Sequence, residues 1–193
     1  LPLHQQANDR TTIFMLYFAK IFFCYLFGDY PRALEYVTMA EEYLRGVIGM
    51  PGFTIFYFYD SLVRLAVYTS VSKPEQKRIL KRVSVNQKKI GKWAHHAPMN
   101  HQHKFFLVEA ERARVRSRDV DAMEYYDRAI SFARENEYLH EEALANELAA
   151  KFYLLRGKEK IAQTYMMEAR YAYERWGAVA KVKDLDERYP RLL

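Results

Sequence analysis

Residues 117–129 read SRDVDAMEYYDRA, and residues 157–169 read GKEKIAQTYMMEA. In both stretches apolar residues return every three or four positions, which is typical of an amphipathic helix with one buried stripe. A third stretch, GDYPRALEYVTMA at residues 28–40, follows the same pattern. Each stretch follows another apolar segment and a short turn. The three together predict repeated helical hairpins, in which alanines let neighbouring helices approach closely.

The composition agrees with a helical repeat. The chain has 193 residues, of which 50% are hydrophobic, with 7 Gly and 6 Pro, so it can bury a core and has few residues that break helices. We expect helical hairpins at about 11–46, 53–94, 102–135 and 140–176, and a capping helix at about 179–188. The predicted fold class is all-α, a right-handed α-α superhelix formed by one helical-repeat domain over residues 1–193.

Two apolar segments raise the question of a membrane span. Residues 13–27 contain Lys20, and residues 53–71 contain Asp60 and Arg64. A spanning helix needs about 20 apolar residues with few charges, so both segments are predicted to be buried core helices rather than membrane spans. The N-terminus shows no secretion signal and starts with Leu1, so we expect a segment of a larger cytoplasmic protein.

The formal net charge of +6 is concentrated in one segment, residues 73–92, which contains a single acid, Glu75. Charge runs of this kind usually form a solvated helix face, and that is our expectation here. An acidic protein surface or nucleic acid is the alternative partner, although we do not expect nucleic acid binding. The basic side chains of the segment are Lys73, Lys77, Arg78, Lys81, Arg82, Lys88, Lys89 and Lys92.

The sequence lacks a phosphate-binding loop and a metalloprotease motif, and its single cysteine, Cys24, lies in an apolar segment. We therefore expect no cofactor, no metal and no catalytic residue. Four histidines surround Pro98, which we predict to lie in a polar loop between two helices. Glu109 and Glu111, with Arg112 and Arg114, are predicted to form a solvated helix face with local ion pairs. The four histidines are His95, His96, His101 and His103.

The three stretches quoted above resemble tetratricopeptide repeats over about two thirds of the chain. The residues that carry this resemblance are Gly28, Tyr30, Ala33, Val37 and Ala40, then Ala122, Tyr126 and Ala129, then Tyr153, Gly157, Ala162, Met166 and Ala169. The interval from Ala122 to Ala162 exceeds the family's usual repeat of about 34 residues.

Residues 142–190 resemble more specifically the helical region of large, cyanobacterial-type multi-sensor signal transduction kinases. In such proteins a Ser/Thr kinase domain and an AAA ATPase domain precede the helical repeats, and a GAF domain and a histidine kinase follow them. The resemblance implies that this chain is a non-catalytic protein–protein interaction and coupling module within a two-component signalling protein. Catalysis would then belong to other domains of the parent.

The register of tetratricopeptide repeats implies a protein-binding groove along the first helix of each hairpin. Its expected occupant is a flanking domain of the parent, or a peptide or helix segment. Two alternatives remain open: the groove binds a small effector, or its aromatic residues pack against a preceding helix. The predicted groove residues are Met15, Phe18, Phe22, Tyr25, Lys104, Leu107, Glu111, Arg114, Glu147 and Lys151.

Overall fold

Few helix-breaking residues interrupt the sequence, and the computed structural model is helical across the residues that it describes, 9–193. Those residues form nine α-helices and two short 3-10 helices, Leu44–Val47 and Tyr68–Ser70, and contain no strand. The α-helices are α1 (Arg10–Leu26), α2 (Tyr30–Tyr43), α3 (Pro51–Ala66), α4 (Lys73–His96), α5 (Pro98–Arg114), α6 (Asp119–Glu135), α7 (Leu139–Leu154), α8 (Glu159–Arg175) and α9 (Val179–Arg188).

The prediction of an all-α protein is confirmed, whereas the right-handed superhelix and the single domain stay predictions. The expected polar loop around Pro98 is wrong, because α4 continues to His96 and α5 begins at Pro98, so that Ala97 alone lies between them. Proline fits the first turn of a helix, where its missing N–H has no partner to lose. Within residues 9–193, no helix combines the length and the hydropathy that a bilayer crossing requires.

The chain forms two compact units, residues 1–90 and 91–193, and the first is described from residue 9. In the first unit, α1 and α2 form a hairpin in which an aspartate precedes each helix. The carboxylate of Asp9 accepts a hydrogen bond from the Thr12 backbone amide at 3.1 Å, and that of Asp29 accepts one from the Arg32 amide at 3.3 Å. Such capping contributes about 1 kcal/mol per helix, so the sequence fixes where both helices start.

A buried carboxylate connects three helices of the first unit. Asp60 of α3 accepts hydrogen bonds from Arg64 Nε at 2.5 Å, from Arg82 Nε at 2.9 Å and from Asn86 Nδ2 at 2.7 Å. Arg82 also donates to Glu41 of α2, at 2.6 Å. Arg82 was expected to belong to a solvated basic face, but its guanidinium instead joins α2, α3 and α4.

The second unit contains two hairpins, α5–α6 and α7–α8, with α9 packed against α8. Ala122 and Ala129 of α6 and Ala162 and Ala169 of α8 are fully buried, which confirms the predicted stripe of small residues. Because a methyl side chain occupies so little space, the neighbouring helices pack closely against these positions, and larger apolar residues fill the volume beside them.

One type of turn recurs through the second unit at intervals of twenty residues. At each turn a residue two or three positions after the end of the helix has a positive φ, and the next residue donates a hydrogen bond back across the last helical turn. At the second turn, for example, the Tyr138 N–H donates to the Ala133 carbonyl at 2.9 Å. The regular spacing sets the length of every helix between turns. The residues with positive φ are Ser117, Glu137, Gly157 and Gly177.

We predict that Glu137→Gly stabilises the protein. Glu137 has a φ of 61°, a conformation that costs a residue with a Cβ about 1–2 kcal/mol, and glycine adopts it without strain. Glycine also has more conformational entropy in the unfolded chain, which offsets part of this gain. The free energy of unfolding, measured by urea titration, should therefore rise by about 0.5–1 kcal/mol. The matched control, Gly157→Ala, places a Cβ in open space at a φ of 68° and should lower it. Equal stability of both variants and the parent would contradict this reading.

Candidate functional site

The four predicted groove residues of α1 differ widely in exposure. Met15 is 47% exposed, Phe18 and Phe22 are half-buried, and Tyr25 is buried. The rings of Phe18, Phe22 and Tyr25 all contact Tyr59 of α3, with centroid distances of 5.8, 5.5 and 5.8 Å and edge-on geometry. Edge-on packing is a favoured arrangement of aromatic pairs. Three of the four residues therefore join α1 to α3, and Met15 presents its side chain to solvent.

Met15 belongs to an apolar stripe on the outer side of α1. Leu16 and Phe23 are also exposed, and the half-buried Phe22 lies beside them. These positions follow the spacing of one helix face. Contiguous apolar surface of this kind often marks a contact with another protein. That this surface of α1 binds a protein stays a prediction.

In the second unit, a lysine lies between a histidine and a glutamate at the start of α5. Lys104 Nζ is 3.0 Å from Glu141 Oε1 of α7 and 2.8 Å from His103 Nε2. It also donates to the Asn100 carbonyl at 3.0 Å and lies 4.4 Å from the centroid of the Tyr138 ring. The ammonium therefore has a counter-ion, two hydrogen-bond acceptors and an aromatic face around it. This set of contacts accounts for a lysine that is almost completely buried.

Burial and neighbouring charge shift the pKa values of this cluster. Burial lowers the pKa of His103, although Glu141 opposes the effect, so the imidazole is neutral near pH 7. Burial also lowers the pKa of Lys104, and Glu141 again opposes it. For Glu141, burial raises the pKa, but His103, His140 and Lys104 outweigh it and bring the pKa well below its ordinary value. The carboxylate is therefore held ionised.

A second buried carboxylate, Glu111 of α5, is held by two helices. Arg114 donates to both Glu111 oxygens, with Nη2 to Oε2 at 2.6 Å, and the hydroxyl of Tyr126 on α6 donates to Oε1. Burial, followed by the charge of Glu111, raises the pKa of Tyr126 well above its ordinary value, so the phenol keeps its proton. The expected solvated face of α5 is therefore wrong for Glu111, while the local ion pairs are present.

A third buried carboxylate, Glu147 of α7, contacts three partners. Lys151 Nζ lies 2.7 Å from Oε1, Lys181 Nζ of α9 lies 3.1 Å from Oε1, and the Tyr173 hydroxyl of α8 donates to Oε2 at 2.8 Å. Burial raises the pKa of Glu147, but Lys151 and Lys181 outweigh it and lower the pKa to about 2. This carboxylate thus connects α9 to the α7–α8 hairpin.

The six predicted groove residues of the second unit lie along α5 and α7. Lys104, Leu107, Glu111 and Glu147 are buried, whereas the guanidinium of Arg114 and the ammonium of Lys151 keep part of their surface in solvent. The structure thus places Arg114 and Lys151 as the accessible ends of two buried ion pairs. That these residues bind a protein stays a prediction.

The four histidines near Pro98 lie in two environments. His95 and His96 are exposed in the last turn of α4, while His101 is half-buried and His103 buried within α5. Glu141 of α7, which is distant from His103 in the sequence, lies beside it, with Oε2 3.8 Å from Nε2. Among the described residues, no three His, Cys, Asp or Glu side chains converge as metal ligands would. The positive charge beside the Glu141 carboxylate comes from the ammonium of Lys104.

A cavity of about 490 Å³ lies between the start of α8 and the C-terminal residues. Its lining includes Lys160, Gln163 and Arg191, together with Leu154 at the end of α7. None of the ten predicted groove residues contributes to it. The effector-binding alternative for the groove stays a prediction.

Comparison with known proteins finds local similarity to one signalling kinase. A stretch of 63 residues, 33% of the chain, is 38% identical to hybrid signal transduction histidine kinase G of Dictyostelium discoideum. That stretch covers 2% of the kinase, so the chain spans a very small part of this relative. No family model and no solved structure matches the chain. The chain therefore has local similarity to a signal transduction histidine kinase, while the repeat type and the domain architecture of the parent stay predictions.

We predict that Glu147→Gln lowers the free energy of unfolding by about 2 kcal/mol near neutral pH, because the buried ammonium of Lys181 loses one carboxylate partner and keeps Asp184, 3.0 Å away. A glutamate with a lowered folded-state pKa stabilises the protein above its unfolded pKa. Its contribution is lost as the pH falls through the folded-state value. The stability difference between parent and variant should therefore be constant above about pH 4.5 and shrink toward pH 2.

The control for this prediction is Glu168→Gln. Glu168 forms an ion pair with Arg134 at 2.9 Å, but half of its side chain is exposed, so the change should cost less than about 1 kcal/mol. Urea titrations of the three proteins across the pH range make the comparison. A loss for Glu147→Gln no larger than that of Glu168→Gln would contradict the assignment.

Proposed function

We propose that the chain is a non-catalytic protein–protein interaction and coupling module of a multidomain signal transduction kinase. The observation that carries the proposal is the local similarity to a signal transduction histidine kinase, together with a chain built from helical hairpins. Helical hairpins that share apolar seams present extended surfaces and commonly serve as binding scaffolds. In this proposal the parent carries a Ser/Thr kinase, an AAA ATPase, a GAF domain and a histidine kinase, and resides in the cytoplasm.

The chemistry of the described residues supports a role outside catalysis. The buried carboxylates Glu111, Glu141 and Glu147 each pair with a cation on a neighbouring turn or helix, so their charges are already compensated. Such pairs orient helices relative to one another rather than activating a substrate. The proposed role is therefore mechanical: the helices transmit contact between the domains on either side of them.

The proposed binding surface in the first unit is the outer stripe of α1, where Met15, Leu16 and Phe23 are exposed. In the second unit the proposed contacts are the accessible ends of Arg114 and Lys151. Within the first unit, the apolar stripe on α1 suits the apolar face of a partner helix, and within the second, the charged ends on α5 and α7 suit a polar partner surface.

We predict that Met15→Asp weakens binding of the chain to a neighbouring domain of the parent kinase by about tenfold or more, because it places a charge in an apolar contact. Isothermal titration of the whole chain against each flanking domain measures this. The matched control is Ile48→Asp, which changes an equally apolar side chain that is 66% exposed outside the stripe, and it should leave the affinity unchanged.

The proposal also predicts that deletion of residues 10–188 from the parent alters its kinase output. If the unsubstituted chain binds no flanking domain and the deletion leaves the kinase output of the parent unchanged, the coupling role is refuted. If binding occurs but Met15→Asp and Ile48→Asp behave alike, the coupling role stands and the α1 surface is refuted.

A further inference from the structure

Four lysines form a straight row along the outer side of α4. Lys73, Lys77, Lys81 and Lys88 are all exposed, and they fall within about 80° of the helix circumference at 100° per residue. We call them the lysine row. From Lys73 to Lys88 the row spans about 22 Å, at a rise of 1.5 Å per residue. The opposite side of the helix carries its buried residues, among them Val83 and Ile90, so the lysine row points away from the core of the first unit.

The charge of the lysine row is not compensated within the described part of the chain. None of its four ammonium groups lies within ion-pair distance of a carboxylate of residues 9–193. Three carboxylates pair with the arginines of α4 instead: Asp60 and Glu41 with Arg82, and Glu75 with Arg78 at 3.2 Å. Both arginines of α4 therefore have a carboxylate partner, Arg82 partly buried between helices and Arg78 at the surface, whereas no carboxylate of the described residues pairs with the four lysines.

The arginines of α4 favour a protein rather than a nucleic acid as the partner. Arginine is the side chain that most often reads bases, because its planar fork binds two acceptors at once. Arg82 is held by Asp60 and Glu41, which leaves Arg78 as the one arginine of α4 at the surface beside the four lysines. The lysine row also borders an exposed apolar residue, Val85, at 46% exposure. An apolar contact flanked by positive charges suits a helix that carries acidic residues and one apolar anchor.

We propose that the lysine row binds an acidic amphipathic helix of a partner protein, with glutamates or aspartates repeated about once per turn opposite the four lysines. The interaction is an ordered set of solvent-exposed ion pairs around the contact at Val85. It uses α4 alone and none of the groove residues on α1, α5 and α7. It can therefore hold or fail independently of the proposed coupling function.

The test measures binding of the full chain to a synthetic helical peptide by fluorescence anisotropy. The peptide carries glutamates at the spacing of the four lysines and a leucine opposite Val85, and a matched peptide carries glutamines instead. The row variant Lys77→Gln/Lys81→Gln/Lys88→Gln should bind the acidic peptide at least about tenfold more weakly than the unsubstituted chain does. The unsubstituted chain should not bind the glutamine peptide. Its affinity for the acidic peptide should fall as salt rises from about 50 to about 200 mM.

The control variant is Lys158→Gln/Lys160→Gln/Lys183→Gln, which removes the same number of exposed charges from other parts of the chain. Its affinity for the acidic peptide should lie within about twofold of that of the unsubstituted chain, because salt screens the effect of distant charges over about 10 Å. All substituted lysines are exposed, so circular dichroism should show unchanged helicity.

Three results would overturn the proposal. In the first, the unsubstituted chain fails to bind the acidic peptide at low salt. In the second, the two triple variants lose affinity equally, so that only net charge matters. In the third, duplex DNA or vesicles of anionic phospholipid bind the unsubstituted chain more tightly than the peptide does. The last result would assign the lysine row to nucleic acid or to a membrane surface.

Discussion

Close helix packing at small residues is the constraint on which the rest of this structure depends. In the hairpins α1–α2, α5–α6 and α7–α8, the second helix buries alanines, and a larger side chain at any of these positions would force its partner helix away. The turns reinforce the constraint, since in the second unit a residue with positive φ ends a helix every twenty residues. Helix length and helix spacing are thereby both set by the local sequence. Most contacts in such a chain join residues that are close to each other in the sequence.

Buried ion pairs add orientation to this apolar packing. Glu141 connects α7 to α5, and Glu147 connects α7 to α9, while Glu111 receives the Tyr126 hydroxyl of α6. An apolar seam tolerates small rotations of one helix against another. A buried ion pair does not, because a rotation that separates the two groups leaves a buried charge without its partner and without water. The ion pairs therefore restrict which helix faces meet. A rigid arrangement within each unit suits a protein that transmits contact rather than chemistry.

The sequence predicted the helices well because their signals are local. The alanine stripes of α6 and α8 follow a helical period, and helix bounds such as 179–188 were reproduced. The buried charges were not predicted, because a glutamate at a core position looks the same in sequence as one on a solvated face. Glu111 and Arg114 read as an exposed i,i+3 pair, and only tertiary packing covers them. One signal was available for Glu147: Lys151 lies four residues later, at the spacing of an ion pair along a helix.

The most direct measurement of the central claim is the rate of thiol labelling at single cysteines placed on and off the alanine seam. In a chain whose native Cys24 is replaced by alanine, Ala129→Cys and Ala169→Cys place the thiol in the seam, and Met167→Cys places it on the exposed side of α8. The account predicts labelling at the seam at least about a hundredfold slower than at position 167, because the thiol becomes accessible only when the helices open. Similar rates at the three positions in a folded, helical protein would contradict it.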